Sequence, residues 1–425
     1  MSSASRGQLR IDFADMKKPE TRDDARRAGI APLRFTAVRK DKFEVQEGMM
    51  GLAMYYEDKK EVLPAVTQIA NIEYELAGRI VKLTQARRPV VGWTSGNGEM
   101  DPPGELSQYL SQNYELRRFD QLGRDGFGAE LPPMSALVVP GPRTPLTDTA
   151  LRSIDRAIMS GVPTALLLDL YDVNMGNFFV RKNESRLEKL LESYGLSARE
   201  GLVVDAQNVP VQIQSRQGFF TVQTLVNYPY IPRVTDLSKD HPVSRPLQEI
   251  ALPFVTSLDV RETSGVTVLA RSSAESFRIA NPFLVSPTEQ INVGGSDQGP
   301  FVLGAAVQGR RRGAFSDTPS PGVPVEAEVR LVALANSNFL DESRGGNASN
   351  LLFAANLVDW LAASDDLISI RSKGQTFRPL DKVSDKKRNL IKAANLFLMP
   401  LLLALLGAIR WQIRRRRRGR WEETL

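Results

Sequence analysis

The chain has no cysteine and a single histidine, His241. The first absence excludes disulfides, thiolate metal sites and cysteine nucleophiles. The second removes most chemistry built on the commonest general base and metal ligand. No Gly-Lys dipeptide occurs, so the lysine of a phosphate-cradling loop is missing and ATP hydrolysis of that kind is excluded. The opening, MSSASRGQLRIDFAD, has no hydrophobic stretch. The body also lacks excess charge. The net charge is +6, and Arg410, Arg414 to Arg418 and Arg420, set against Glu422 and Glu423, supply nearly all of it. A near-neutral body argues against a nucleic-acid surface on the folded part.

What is present is an ordinary globular composition, 42% hydrophobic and 24% charged, so a sizeable core can form over more than one domain. Near the C-terminus the run 393–409 carries no charge, interrupted only by Asn395 and Pro400. Lys392 precedes it; Arg410 and Trp411 follow. A bilayer core needs about 20 apolar residues, and basic and Trp flanks suit its interfaces. The expectation is a transmembrane helix over 393–411, kinked at Pro400, after a linker at 377–392. A buried core helix is the competing reading. The tail 412–425 holds Arg414 to Arg418, which suits anionic lipid better than nucleic acid. The positive-inside rule puts that tail in the cytoplasm and the body outside the inner membrane. Export then requires a signal that the opening does not supply, so the expectation is that the true N-terminus is missing or misassigned.

Residues 1–86 read as an α/β region. Leu9, Ile11 and Phe13 alternate like a strand, and TRDDARRAGIAP reads as a short helix ended by Gly29 and Pro32. LRFTAV and GLAMYYEDKKEVLP add strands, with a tight turn at Asp58 and Lys59. Ile69, Ile72, Leu76, Ile80 and Leu83 mark an amphipathic helix. From 87 to 376, the apolar strands VV, SALVVPGP, PTALLLDL and LVVD alternate with helices. One of these helices is capped by Thr147 and carries Leu151, Ile154 and Ile158 on one face, with Gly161 closing it. Such alternation predicts an α/β fold with a covered parallel sheet. A β-rich section interrupts it at about 209–308, including a hairpin at VQIQSRQGFFTVQT, and a Pro/Gly/Ser surface loop follows. The α/β pattern then resumes with the strand VRLVALANSNFL and a helix carrying Leu352, Ala355, Leu357 and Trp360 inward.

Three places invite chemistry. GWTSGNGE offers Thr94, Ser95, Gly96, Asn97 and Gly98 as a ligand loop at a strand end. A nucleophile elbow needs glycine two residues to either side of the serine, and Trp93 occupies one of those places. A plain tight turn is therefore the favoured reading. His241, followed by proline, reads as a structural turn histidine. Asp169 and Asp172 could hold a hard cation at a strand end, but solvated loop carboxylates are favoured. No catalytic, cofactor or metal residue is assigned.

The ordered set AGIAPLRFTAVRKDKFEVQEGMMGLAMYYEDKKEVLP, IEYELAGRIVKLT, RPVVGWTSGNGE, LVVPGPRTPLTDTALRSIDRAIMSGVPTALLLD, DHPVSRPL, RLVALANSNFL and NLVDWLAASDDLISIRSK resembles the auxiliary component of gliding-motility-type ABC transport systems, the GldG-like proteins. The resemblance runs from Arg10 to Arg410. It implies a membrane-anchored, non-enzymatic subunit working with a separate ABC permease and ABC ATPase. It also implies a thioredoxin-like first domain and a second domain resembling a class I amidotransferase or intraflagellar-transport fold without the catalysis. The family usually has histidine where Asn97 stands and normally carries an N-terminal span. The rival readings are a membrane-anchored hydrolase or amidotransferase-like enzyme, and a module binding an envelope glycan.

Overall fold

The computed structural model describes residues 9–39, 42–66, 88–120, 126–128, 130–217, 220–293, 296–362 and 406–411, together with Lys392 and scattered positions from 72 to 84. The chain divides into two compact units, Met1–Phe377 and Arg378–Leu425.

The N-terminal segment opens without the expected strand. Residues 9–13 have no regular structure, and Phe13 stands exposed. Alternation of apolar residues marks a face and does not by itself make a strand. Helix α1, Pro19–Arg27, starts on proline, whose missing N–H is no loss in the first turn. It ends at Gly29, which takes a positive φ of 87°. Two antiparallel hairpins follow, Leu33–Arg39 with Lys42–Gly48 and Leu52–Tyr56 with Lys59–Leu63. The second turns at Glu57 and Asp58, one residue earlier than expected. Where the 69–83 segment is described it is helical, with Leu83 buried but Ile80 exposed rather than inward.

The core of the first unit is a ten-stranded sheet. Its strands are numbered along the chain: β1 Val90–Thr94, β2 Glu115–Phe119, β3 Ala136–Pro140, β4 Thr164–Leu167, β5 Leu196–Arg199, β6 Asp236–Leu237, β7 Ser257–Val260, β8 Val266–Arg271, β9 Val302–Arg312 and β10 Glu326–Leu334. The spatial order is β5-β7-β9-β10-β4-β3-β1-β2, with β8 also on β9 and β6 on β8. The pairs β1/β2, β1/β3, β3/β4 and β4/β10 are parallel. Every pair beyond β10 is antiparallel. β1, β3 and β4 are apolar along almost their whole length because both faces are covered.

Helix α2, Gly104–Asn113, connects β1 to β2, and α3, Asp148–Met159, connects β3 to β4. The Thr147 hydroxyl caps α3 by accepting from the Ala150 N–H at 3.2 Å, as its sequence predicts. The helix Ala348–Ala362 is buried from Phe353 to Leu361. Its Asp359 accepts from the Tyr109 and Tyr114 hydroxyls, 2.7 Å each, fastening α2 to it.

One strand is placed differently from expectation. Leu202–Asp205 lies outside the central sheet and pairs antiparallel with Ser276–Ile279. The six-residue helix before it, Glu188–Ser193, rises only about 9 Å, too little to carry the chain back across a sheet. The chain therefore returns antiparallel, as β5, through positive-φ turns at Gly195 and Gly201. The fifth parallel strand comes instead from β10, far along the sequence. The expected β-rich hairpin is present as Val211–Gln217 paired with Phe220–Val226. The Pro/Gly/Ser loop is tied down at its start, where buried Asp155 accepts from the Ala314 N–H at 2.8 Å and from the Tyr194 hydroxyl at 2.5 Å.

Asn395, Pro400, Arg414 to Arg418 and most of the expected span 393–411 lie outside the described residues, as do the basic tail and all of the linker but Lys392. Residues 406–411, with Arg410 and Trp411, are helical. Among the described residues no helix is long and apolar enough to cross a membrane.

Candidate functional site

Four of the parallel strands deliver side chains to one edge of the sheet. β1 lies between β2 and β3, so the chain leaves it to one side first and to the other later. That reversal is a topological switch point, where open α/β sheets form ligand crevices.

The loop after β1 is folded onto its neighbours. The Ser95 hydroxyl donates to Asp120 and its N–H to the Phe119 carbonyl at 3.1 Å. Gly96 is at φ 95°, and a Cβ there would lie 2.1 Å from the Asp120 carbonyl oxygen, so no other residue fits. The Asn97 N–H donates to Glu99 at 2.5 Å, and its carbonyl accepts from the N–H groups of Arg143 at 2.8 Å and Thr144 at 3.0 Å. Gly98, at φ 80°, lies against Arg143. The Met100 N–H donates to the Pro140 carbonyl, and the Trp93 indole donates to the Met100 carbonyl, at 2.8 and 2.9 Å. Thr94 is fully buried, and its hydroxyl has no partner among the described residues. The loops after β1 and β3 thus brace one another.

The other half of the edge, at β3, β4 and β10, is built differently. Asp169, only 4% exposed, accepts from the Ser337 N–H at 2.7 Å, from the Ser337 hydroxyl, and from the Asn338 amide at 3.2 Å. Burial pushes its carboxyl above the ordinary range; the Ser337 bonds, then Arg143 and Arg344, pull it back. Gly141, φ 66°, passes so close that a Cβ would sit 2.2 Å from the Ser337 hydroxyl. The Asn183 amide donates to the Pro142 carbonyl at 2.8 Å. Two buried amide oxygens, on Asn183 and Asn338, have no donor among the described residues. Asp169 is therefore a buried, hydrogen-bonded group and not a solvated loop carboxylate. Asp172 is separate from it, ringed by Arg143, Arg181 and Arg344 at 3.7, 3.8 and 3.9 Å. Nothing short of the fold would have joined Asp169 to Ser337 and Asn338; the sole sequence signal is the polar trio Asn336-Ser337-Asn338 directly after an apolar strand.

His241 lies in a turn, with its ring edge-on to Trp360 at 4.7 Å and its Nδ1 accepting from the Val243 N–H at 3.3 Å. Burial alone lowers its pKa to about 4, so it is neutral at pH 7. Among the described residues no group of three or more acidic or histidine side chains is placed to hold a metal.

A five-stranded parallel core extended by antiparallel strands, with a switch point beside its first strand, defines a doubly wound α/β protein. The chain belongs to the family described as an ABC-type uncharacterized transport system, an auxiliary component, whose pattern matches residues 88–363. It is similar to an uncharacterized protein of Borreliella burgdorferi, 21% identical over 383 residues, 86% of this chain and 74% of the relative. Among solved structures it is similar to the mmIFT52 N-terminal domain, with 16% identity, a TM-score of 0.39, and coverage of 65% of this chain and 98% of that one. A putative GMP synthase component from Thermoplasma acidophilum gives 10% identity, a TM-score of 0.32, and coverage of 64% and 94%. A putative ThuA-like protein from Parabacteroides merdae gives 10%, 0.31, and coverage of 70% and 94%.

Proposed function

We propose that this protein is a non-enzymatic, membrane-anchored auxiliary component of an ABC transporter of the gliding-motility type. The family match over 88–363 carries this reading. With no phosphate-cradling lysine in the sequence, the energy comes from a separate ATPase acting through a permease. In this reading residues 1–86 are a thioredoxin-like domain and 87–376 an amidotransferase-like one, both outside the inner membrane. Residues 393–411 span it, and Arg414 to Arg418 meet anionic lipid on the cytoplasmic side. Asn395 lies on the helix face that packs on the permease, where an amide can bond across helices.

The state of the site supports a role without catalysis. The Ser95 hydroxyl is committed to Asp120, and the lone histidine is buried against Trp360. Thr94–Gly98 acts as a brace between two loops. Co-purification in mild detergent tests the partnership. Tagged full chain is expected to recover a permease and an ATPase, and replacing 393–409 by an unrelated span is expected to lower the yield. Recovery of neither partner overturns the reading. Ser95→Ala is expected to leave any transport-dependent phenotype intact.

A further inference from the structure

The ribbon Val211–Gln217/Phe220–Val226 has an edge problem. Its strands pair through seven consecutive registers and, among the described residues, with no other strand. A two-stranded ribbon is marginal by itself in water, and its outer edges present backbone donors and acceptors ready to pair. Soluble proteins blunt such edges with charge, proline or a bulge. This ribbon makes little use of them. Its register is unbroken, it contains no proline, and Arg216 is the single charged residue between Val211 and Val226 in a chain that is 24% charged. The strand Phe220–Val226 is rich in β-branched and apolar residues and carries no charge, and Leu225 is 67% exposed. Gln212 and Gln223 bond to one another on the exposed side, at 2.7 Å.

We propose that this strand is a self-association edge: Phe220–Val226 pairs antiparallel with the same strand of a second copy about a two-fold axis at Gln223. The lack of charge selects the occupant. A strand with no charges has nothing to recognise in a basic or acidic partner segment, but it meets its own copy without like-charge repulsion, and a two-fold contact requires such self-complementarity. Centring the axis on Gln223 sets Thr224 against Val222, and Leu225 against Thr221, of the second copy. Two ribbons then make one four-stranded sheet and supply each other's missing neighbours.

The absence of cysteine makes the test clean, because Gln223→Cys places one thiol in the whole chain, on the axis. Mild oxidation of the full chain in detergent is expected to give a disulfide-linked dimer from Gln223→Cys and none from Gln212→Cys on the other strand of the ribbon. Gln223→Lys and Gln223→Glu, at an exposed position, are each expected to lose the dimer in sedimentation, and an equal mixture to regain it. The proposal is overturned if Gln223→Cys does not cross-link, if Gln212→Cys cross-links as readily, or if the mixture stays monomeric. Cross-linking of Gln223→Cys to a different membrane protein also overturns it, and makes the edge a docking site for a foreign strand.

Discussion

The two halves of the sheet's C-terminal edge solve the same problem in different ways. At β1 the loop closes through contacts within a few dozen residues: Ser95 to Asp120, Asn97 to Glu99 and Arg143. At β4 the polar groups are satisfied by residues far along the chain, Asp169 by Ser337 and Asn338, and two buried amide oxygens are left over. A locally closed loop can lose one bond and settle. A carboxyl deep in the fold cannot, because removing it leaves its donors unsatisfied in the interior.

The sharpest contrast is therefore between Asp169→Ala and Ser95→Ala. Asp169→Ala strands three donors in the interior and is expected to cost about 3–5 kcal/mol in denaturant unfolding of the full chain. Similar losses for the two variants would erase the distinction between the halves.

Acidity distinguishes Asp169 from His241, a buried group outside both halves. His241, with its pKa lowered to about 4, stabilises the fold above the unfolded value of 6.5 and loses that contribution as pH falls toward 4. The loss is expected to reach up to about 3 kcal/mol, read as a falling denaturation midpoint. Asp169 has the opposite sign. Its raised pKa means that its stabilisation is full below the ordinary carboxyl value of 3.8 and declines as pH rises above it. His241→Gln is expected to abolish the acid-side loss and leave the Asp169 slope visible, and Asp169→Asn to flatten that slope. A His241→Gln curve as steep as wild type would contradict the assignment.

Gly96→Ala tests whether the β1 loop is held as tightly as its bonds suggest. The added methyl meets backbone at 2.1 Å from a positive φ, and a cost of about 2 kcal/mol is expected. The smallest effect is that of Ser95→Ala, about 1 kcal/mol or less, since one exposed bond is lost.

Much of the framework was legible in the sequence. The Thr147 cap, the amphipathic face of α3 and the apolar β1, β3 and β4 have local causes that periodicity and capping chemistry expose. Leu202–Asp205 misled because a continuous apolar run marks a strand buried on both faces whatever its direction. Phe13 misled because alternation says nothing of whether a partner strand exists. In the site, Ser95 and Gly96 could be placed on a loop at a strand end from GWTSGNGE alone. What the loop bonds to could not.

The sequence by itself determined what chemistry is unavailable, the family, the alternation of helix and strand, and the uncharged run before the arginines. These follow from residue types and short-range spacing. Only the tertiary structure decided that β10 completes the parallel core beside β4, that Asp169 is buried while Asp172 sits among arginines, and that the 211–226 ribbon has no neighbour strand among the described residues. The reason is distance along the chain: Asp169 and Ser337 are 168 residues apart, and a contact at that separation is set by the packing of the whole sheet and by no local preference.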